Sequence, residues 1–209
     1  MFVRLAECNL RCTWCDTKYT WDWDNHDRGR ETFEMAVGEV AAVIVAKCGS
    51  AIRTVIATGG EPLLQQAELA SLAAELRQHG LRIEVETNGA IAPVAELAAH
   101  VDQWNVSPKL ENSGNALSAR IRAPVLTWFA HSDAATFKFV VATASDLKEV
   151  EQLVARFAIR RDRVLLMPQA TSPEAAVETG RWLAHECTQR GFRLTTRLHV
   201  LLWGATRGR

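Results

Sequence analysis

The sequence has no surplus of charge of either sign. Over 209 residues, 24 Lys and Arg balance 24 Asp and Glu. A protein devoted to polyanions carries a basic excess, so nucleic acid is not expected as a partner. Long apolar runs are also missing. The longest candidate, 40–46, falls far short of the ~18 residues that span a bilayer and belongs to an amphipathic pattern. The first residues hold no apolar stretch fit for a signal peptide. A soluble, cytoplasmic protein without a membrane partner is expected. There is no repeat at a period of roughly 20–50 residues and no linker, and Trp21-Asp22-Trp23-Asp24 is adjacent rather than spaced like a propeller signature. Cysteines are few and odd in number, five in all, which argues against a disulfide scaffold in a chain long enough to bury its own core. What is there, 48% hydrophobic and 23% charged residues, is a globular composition and argues against disorder.

Strand and helix periods alternate through most of the chain. Strands are predicted at 2–5, 54–57, 83–86, 103–106, 136–141, 164–167 and, last, at the apolar run Leu198 to Trp203. Between them helical spacing predicts a helix over 33–47, and a second one carries Leu69, Leu72, Ala73 and Leu76 to a left-handed cap at Gly80. Pro93 suits the first turn of a short helix with Val94 and Leu97. Ser145 is the expected cap of the next helix, and Ser172-Pro173 opens one that stops at Gly191. This alternation predicts an α/β fold with a parallel sheet. About six or seven strands fall short of a closed eight-stranded barrel, so a partial, open (β/α) barrel is expected, one domain over 1–209. Its ligands belong at the carboxyl ends of the strands, where the connecting loops converge.

Three of the five cysteines, Cys8, Cys12 and Cys15, lie on one loop directly after the first strand. Two metals suit such a group. Structural zinc takes four ligands, often as two distant CxxC pairs; no second pair exists, and His26 is the nearest histidine. A 4Fe–4S cluster also normally takes four cysteines. Held by three, it leaves one iron open to chelate an amino-carboxylate and pass it an electron. The spacing favours iron–sulfur. Thr58-Gly59-Gly60-Glu61-Pro62 closes the second predicted strand, and its glycines allow close backbone approach while Glu61 can accept from an ammonium group.

The pattern CxxxCxxC, with Trp14 directly before the third cysteine, resembles the signature of radical S-adenosylmethionine (SAM) enzymes. The stretch from Phe2 to Thr17, with Cys15-Asp16-Thr17, is similar to the 7-carboxy-7-deazaguanine synthase family. So are Ala57 to Leu63, Glu86-Thr87-Asn88-Gly89, Val106-Ser107-Pro108-Lys109-Leu110, Phe137-Lys138-Phe139-Val140 and Arg197-Leu198-His199. The resemblance covers the whole chain. It implies a ring contraction in queuosine and 7-deazapurine biosynthesis: 6-carboxy-5,6,7,8-tetrahydropterin loses ammonia and becomes 7-carboxy-7-deazaguanine. It also implies a 4Fe–4S cluster, S-adenosylmethionine as a reusable cofactor, Mg²⁺, a flavodoxin- or ferredoxin-type electron donor and a homodimer.

By matching positions, the resemblance assigns Cys8, Cys12 and Cys15 to the cluster and Thr17 to magnesium. Arg4 and Thr58 go to the pterin substrate, and Gly60, Ser107, Pro108 and Lys109 to the SAM cofactor. Met167, Pro168, Gln169 and Ala170 are assigned to its adenosyl group. A substrate contact is placed at the chain end, near Arg207 and Arg209. Cys48 and Cys187 read as packed thiols, His199 as structural, and Trp21 and Trp23 as covers of the cysteine loop. The family carries an upstream Gln-Gly-Glu-Gly-type segment that this chain lacks, so an N-terminal truncation is expected. It also has glycine where Glu7 stands, and an inward-pointing carboxylate there would oppose cluster reduction. Two other readings remain: a glycyl-radical-enzyme activase using the same cofactor, and a zinc-stabilised binding module.

Overall fold

A computed structural model describes residues 1–204 and 206; Arg207 and Arg209 lie outside the described residues. In chain order the elements are β1 (Phe2–Leu5), α1 (Arg28–Glu31), α2 (Val37–Cys48), β2 (Thr54–Gly59), α3 (Gln66–Gln78), β3 (Arg82–Thr87), α4 (Ala95–Ala98), β4 (Gln103–Val106), α5 (Leu117–Arg120), α6 (Ala123–His131), β5 (Ala135–Val141), α7 (Ala144–Arg156), β6 (Val164–Pro168), α8 (Pro173–Arg190), β7 (Arg193–Leu194) and α9 (Leu198–Trp203). The strands form one seven-stranded sheet in the order β1 to β7, every neighbouring pair parallel. The sheet does not close. An open α/β half-barrel is what the alternation of periods foretold, within the expected six or seven strands.

Register fixes what each face carries. In a parallel pair, opposed residues point to the same side. The pairs Arg4↔Thr58, Ile56↔Glu84, Glu86↔Asn105, Asn105↔Thr136 and Val140↔Met167 therefore trace one face, largely polar. The alternate residues Val55, Ala57, Ile83, Val85, Trp104, Val106, Phe137, Phe139 and Leu166 are buried and pack with Leu69, Leu72 and Leu76 of α3 and Leu147, Val150 and Leu153 of α7. One apolar cluster spans Ala41 to Phe192. Parallel sheets normally bury both faces as near-continuous apolar runs; here the inner face is left largely polar.

Several ends differ from expectation. The run Leu198 to Trp203 is helix α9, not a strand, and the seventh strand is the preceding Arg193–Leu194. A short apolar run suits either element, and periodicity does not separate them. Only Val200 of that run is buried, so α9 presents one residue to the core. The cap of α7 is Thr143, whose hydroxyl accepts from Asp146 N at 3.3 Å, while Ser145 lies inside the helix. Pro93 precedes the cap of α4 at Val94, and α2 begins at Val37, leaving Phe33 82% exposed. Helix α6 carried no clear sequence period, yet its Leu126 and Phe129 are buried, with Phe129 edge-on to Trp104 at 5.5 Å. Ser172 and Gly191 cap α8 as predicted. Among the described residues, no helix is long and apolar enough to cross a membrane.

Candidate functional site

The cysteine loop leaves β1 at the carboxyl edge of the sheet and is clamped from two sides. On one side, Glu61 N donates to Glu7 O at 2.8 Å and Gly60 N to Leu5 O at 3.0 Å. A Cβ on Gly60 would sit 2.0 Å from Glu7 O and 3.0 Å from Cys8 Cβ, so only glycine fits. The close approach expected of these glycines is therefore to the chain's own cysteine loop. On the other side stands the segment after β4. Thr13 N donates to Ser113 O at 3.0 Å, Trp14 Nε1 to Asn112 O at 3.0 Å, and Arg11 N to Asn115 Oδ1 at 2.9 Å. Leu10, 2% exposed, pegs the loop into the interior.

Each thiol meets one N–H donor. Leu10 N lies 3.5 Å from Cys8 Sγ, Asn115 Nδ2 3.3 Å from Cys12 Sγ, and Trp21 Nε1 3.4 Å from Cys15 Sγ. Burial pushes the Cys8 thiol up to about 11 and raises Cys12 as well, with Lys109 acting against the rise at both. Buried thiols surrounded by N–H donors and one ammonium are short of positive charge. A cationic centre supplies it and draws off the protons.

Lys109 Nζ donates to Ser107 O at 2.9 Å and Ser107 Oγ at 3.0 Å. Its pKa is lowered, first by desolvation and also by Lys138, while Cys12, Cys8 and Glu61 pull it back up. Thr17 Oγ1 stands 3.5 Å from Cys15 Sγ. Glu61 does not fill the part foreseen for it. It is fully buried, and its carboxylate accepts from Leu63 N, Thr87 Oγ1 and Asn88 N at 3.1, 2.8 and 2.7 Å. It ties the end of β2 to the end of β3 and has no open face for an ammonium group. Glu7 points away from the cysteines, with Oε2 accepting from Trp23 Nε1 at 3.3 Å and Oε1 paired with Arg28 at 3.0 Å. Its φ of +71° is the reason glycine suits this position.

Deeper on the polar face, Thr58 Oγ1 donates to Glu86 Oε2 at 2.8 Å, and Lys138 Nζ donates to Glu86 Oε1 at 3.2 Å. Burial works to raise the Glu86 carboxyl, but Lys138 and Thr58 outweigh it and hold it below the usual carboxylate range. Below lies a chain of amides and hydroxyls, Asn105 to Glu84 at 3.0 Å and Gln103 to Thr136 at 3.2 Å. Arg4 shares this face opposite Thr58, exposed and with no side-chain partner among the described residues. Met167, Pro168 and Ala170 are buried at the end of β6, where Gln169 N donates to Val141 O at 2.9 Å. Among the described residues, no hydrogen bond joins Arg4 or residues 167–170 to the cysteine loop. His199 lies exposed on α9, and Cys48 and Cys187 are buried in helices.

The sequence model of the Radical SAM superfamily matches residues 4–123. A curated 7-carboxy-7-deazaguanine synthase of Pyrobaculum aerophilum is 45% identical over 100% of this chain and 88% of its own length. The chain belongs to the radical SAM 7-carboxy-7-deazaguanine synthase family. A synthase of the same name from Rhodopirellula baltica is 33% identical over 100% of this chain and 80% of its own. The crystal structure of QueE from Escherichia coli matches with a TM-score of 0.67 at 25% identity, covering 94% of this chain and 84% of that one.

Radical SAM membership implies a 4Fe–4S cluster and S-adenosylmethionine, and the three thiols fit that cluster. Among the described residues no three His, Cys, Asp or Glu converge as ligands of one ion. A structural zinc takes four ligands about a single centre, and this loop supplies three thiols. Glu86, Lys138 and Arg11 stand in segments that carry the resemblance but received no role from the sequence, and Asn112 and Asn115 were not singled out. The alternation Arg82, Glu84, Glu86 against Ile83, Val85 was a usable signal for Glu86. Asn112 and Asn115 gave none, because their partners lie 98 to 104 residues away.

Proposed function

We infer that this chain contracts the ring of 6-carboxy-5,6,7,8-tetrahydropterin to 7-carboxy-7-deazaguanine with release of ammonia, as a radical SAM lyase. The observation that carries the reading is full-length identity of 45% to a synthase of that name, joined to a cysteine triplet at the mouth of a polar-lined half-barrel. When bound, the cluster and cofactor would supply reversible hydrogen-atom abstraction.

The chain's own residues do the rest. Cys8, Cys12 and Cys15 would hold the cluster beside the amine and carboxylate end of the cofactor. Gly60, Ser107, Pro108 and Lys109 border that position, and Met167, Pro168, Gln169 and Ala170 hold the adenosyl end. Arg4 takes the substrate carboxylate as a bidentate pair, and Thr58 fixes the pterin beside Glu86. Thr17 gives an oxygen to Mg²⁺, a hard ion that completes its shell from substrate and water. A flavodoxin- or ferredoxin-type protein supplies the electron, and the working unit is a homodimer of single-domain protomers.

The test is incubation of the anaerobically reconstituted protein with substrate, S-adenosylmethionine, Mg²⁺ and a reductant. Formation of 7-carboxy-7-deazaguanine with ammonia, and no net loss of cofactor, supports the reading. Zinc without iron or sulfide in the protein, or cofactor consumption without product, refutes it.

A further inference from the structure

The cysteine loop is ringed by side chains that the assigned roles leave unused. Trp21 is 8% exposed, and the one hydrogen bond of its Nε1 is to Cys15 Sγ at 3.4 Å. A buried indole N–H seeks an acceptor, and here the acceptor is a cluster ligand. Asn115 Nδ2 reaches Cys12 Sγ at 3.3 Å, and its amide cannot turn over freely, because Oδ1 already accepts from Arg11 N at 2.9 Å. The same Arg11 lays its guanidinium over the Trp21 ring at 4.9 Å and donates from Nη1 to Trp21 O at 3.1 Å. One residue between Cys8 and Cys12 thus holds both donors, which come from separate parts of the chain.

Resting on the radical SAM reading above, we propose that Trp21 and Asn115 set the reduction potential of the cluster by donating N–H···S hydrogen bonds to Cys15 and Cys12, and that Arg11 is the positioning residue that aims both. The physics is one of charge. Reduction adds an electron to an already anionic group, and N–H dipoles pointed at its sulfurs favour the reduced form over the oxidised one. Hydrogen bonds to sulfur and exclusion of solvent are the levers by which a protein moves such a potential. Trp21 applies both, as donor and as cover. The third thiol, Cys8, receives its bond from the backbone N–H of Leu10, which side-chain substitution leaves in place.

The experiment is a redox titration of the reconstituted holoenzyme followed by electron paramagnetic resonance. It compares the parent with Trp21→Phe, Asn115→Leu, the double variant and Arg11→Gln, with Trp182→Phe on α8 as the control. Iron and sulfide are measured on each. The expected result is a full cluster in every protein, a midpoint potential moved to more negative values in both single donor variants, a larger shift in the double, a smaller shift of the same sign in Arg11→Gln, which frees Trp21 but keeps the backbone bond to Asn115, and none in the control. Full clusters with the parent's potential in Trp21→Phe and Asn115→Leu overturn the proposal. So does loss of the cluster in both while Trp182→Phe keeps it, since the residues would then be supports of the loop. A parent protein that takes up no cluster overturns the functional reading together with this one; an ordinary parent cluster with unshifted variants overturns this one alone.

Discussion

Replacing Gly60 by alanine tests whether the glycine pair after β2 exists to seat the cysteine loop. The added Cβ would lie 2.0 Å from Glu7 O and 2.5 Å from Glu7 C. Both are backbone atoms, so no rotamer relieves the clash and the loop itself must move. Overpacking of this kind costs about 1–3 kcal/mol, and the backbone collision places Gly60→Ala near the upper end. Gly59 has a φ of +139° and a Cβ position 2.0 Å from Leu5 O. To the same collision its substitution adds strain of about 1–3 kcal/mol, enough to threaten a fold whose whole stability is about 5–15 kcal/mol. Two further glycines separate the causes. Gly80 has a φ of +71° but open space around it, so alanine there costs strain alone, about 1–2 kcal/mol. Gly180, inside α8 with nothing within 4 Å, gains about 0.5–1 kcal/mol with alanine. Denaturant unfolding of the apoprotein should rank Gly180→Ala above the parent, then Gly80→Ala, Gly60→Ala and Gly59→Ala. Iron content after reconstitution should fall only in the last two. A Gly60→Ala protein with the parent's midpoint and full iron would refute the packing argument.

Glu7→Gly relieves a left-handed residue worth about 1 kcal/mol and loses an exposed ion pair with Arg28 worth at most about 1 kcal/mol. Global stability should therefore stay within about 1 kcal/mol of the parent, while trypsin cuts faster at Arg28 and Arg30; a large drop in the unfolding midpoint would contradict this. Lys138→Met removes the cation that holds Glu86 below its ordinary range. A depressed carboxyl stabilises the fold above its unfolded pKa of about 4.3 and loses that contribution as pH falls. With both side chains a quarter to a third exposed, the loss at pH 7 should be up to about 1 kcal/mol and should shrink on acidification, as urea midpoints at several pH values would report. Cys12→Ser should leave the apoprotein folded and sharply reduce the iron it retains; unchanged iron would remove that thiol from the ligand set.

What the sequence made legible is what local chemistry dictates. Ser172-Pro173 and Gly191 bound α8 because a hydroxyl cap, a first-turn proline and a left-handed glycine are decided within a few residues. The strand cores were readable for the same reason, as short β-branched runs closed by glycine. Leu198 to Trp203 went the other way, since five apolar residues and His199 fix neither period nor partner, and the sheet was completed by two exposed residues, Arg193 and Leu194, with no pattern of their own. Within the site, spacing brought Cys8, Cys12 and Cys15 together. It gave no view of Asn115, Ser113 and Asn112, which reach the loop only because β4 is folded back beside it.

The role of Glu61 shows how far a motif alone can carry an assignment. Thr-Gly-Gly-Glu-Pro suggests glycines open to a ligand and a carboxylate that meets an ammonium group. In the fold the glycines are closed by Leu5, Glu7 and Cys8, and the carboxylate is consumed by Leu63, Thr87 and Asn88. Burial raises its pKa against those three donors, so the group is retained at an electrostatic cost that structure must offset. What it secures is the meeting of three strand ends: β2 and β3 directly, and β1 through Glu61 N to Glu7 O. The polar face opposite the core then carries Thr58, Glu86 and Lys138 directly beneath that junction. A binding surface needs such a fixed rim above it, because a shift of 1 Å in the cysteine loop would displace the reactive group relative to a substrate held by the strands. The glycines and the carboxylate of the motif thus act as the mortise of the candidate site, and only the backbone of Gly60 borders the position proposed for the cofactor.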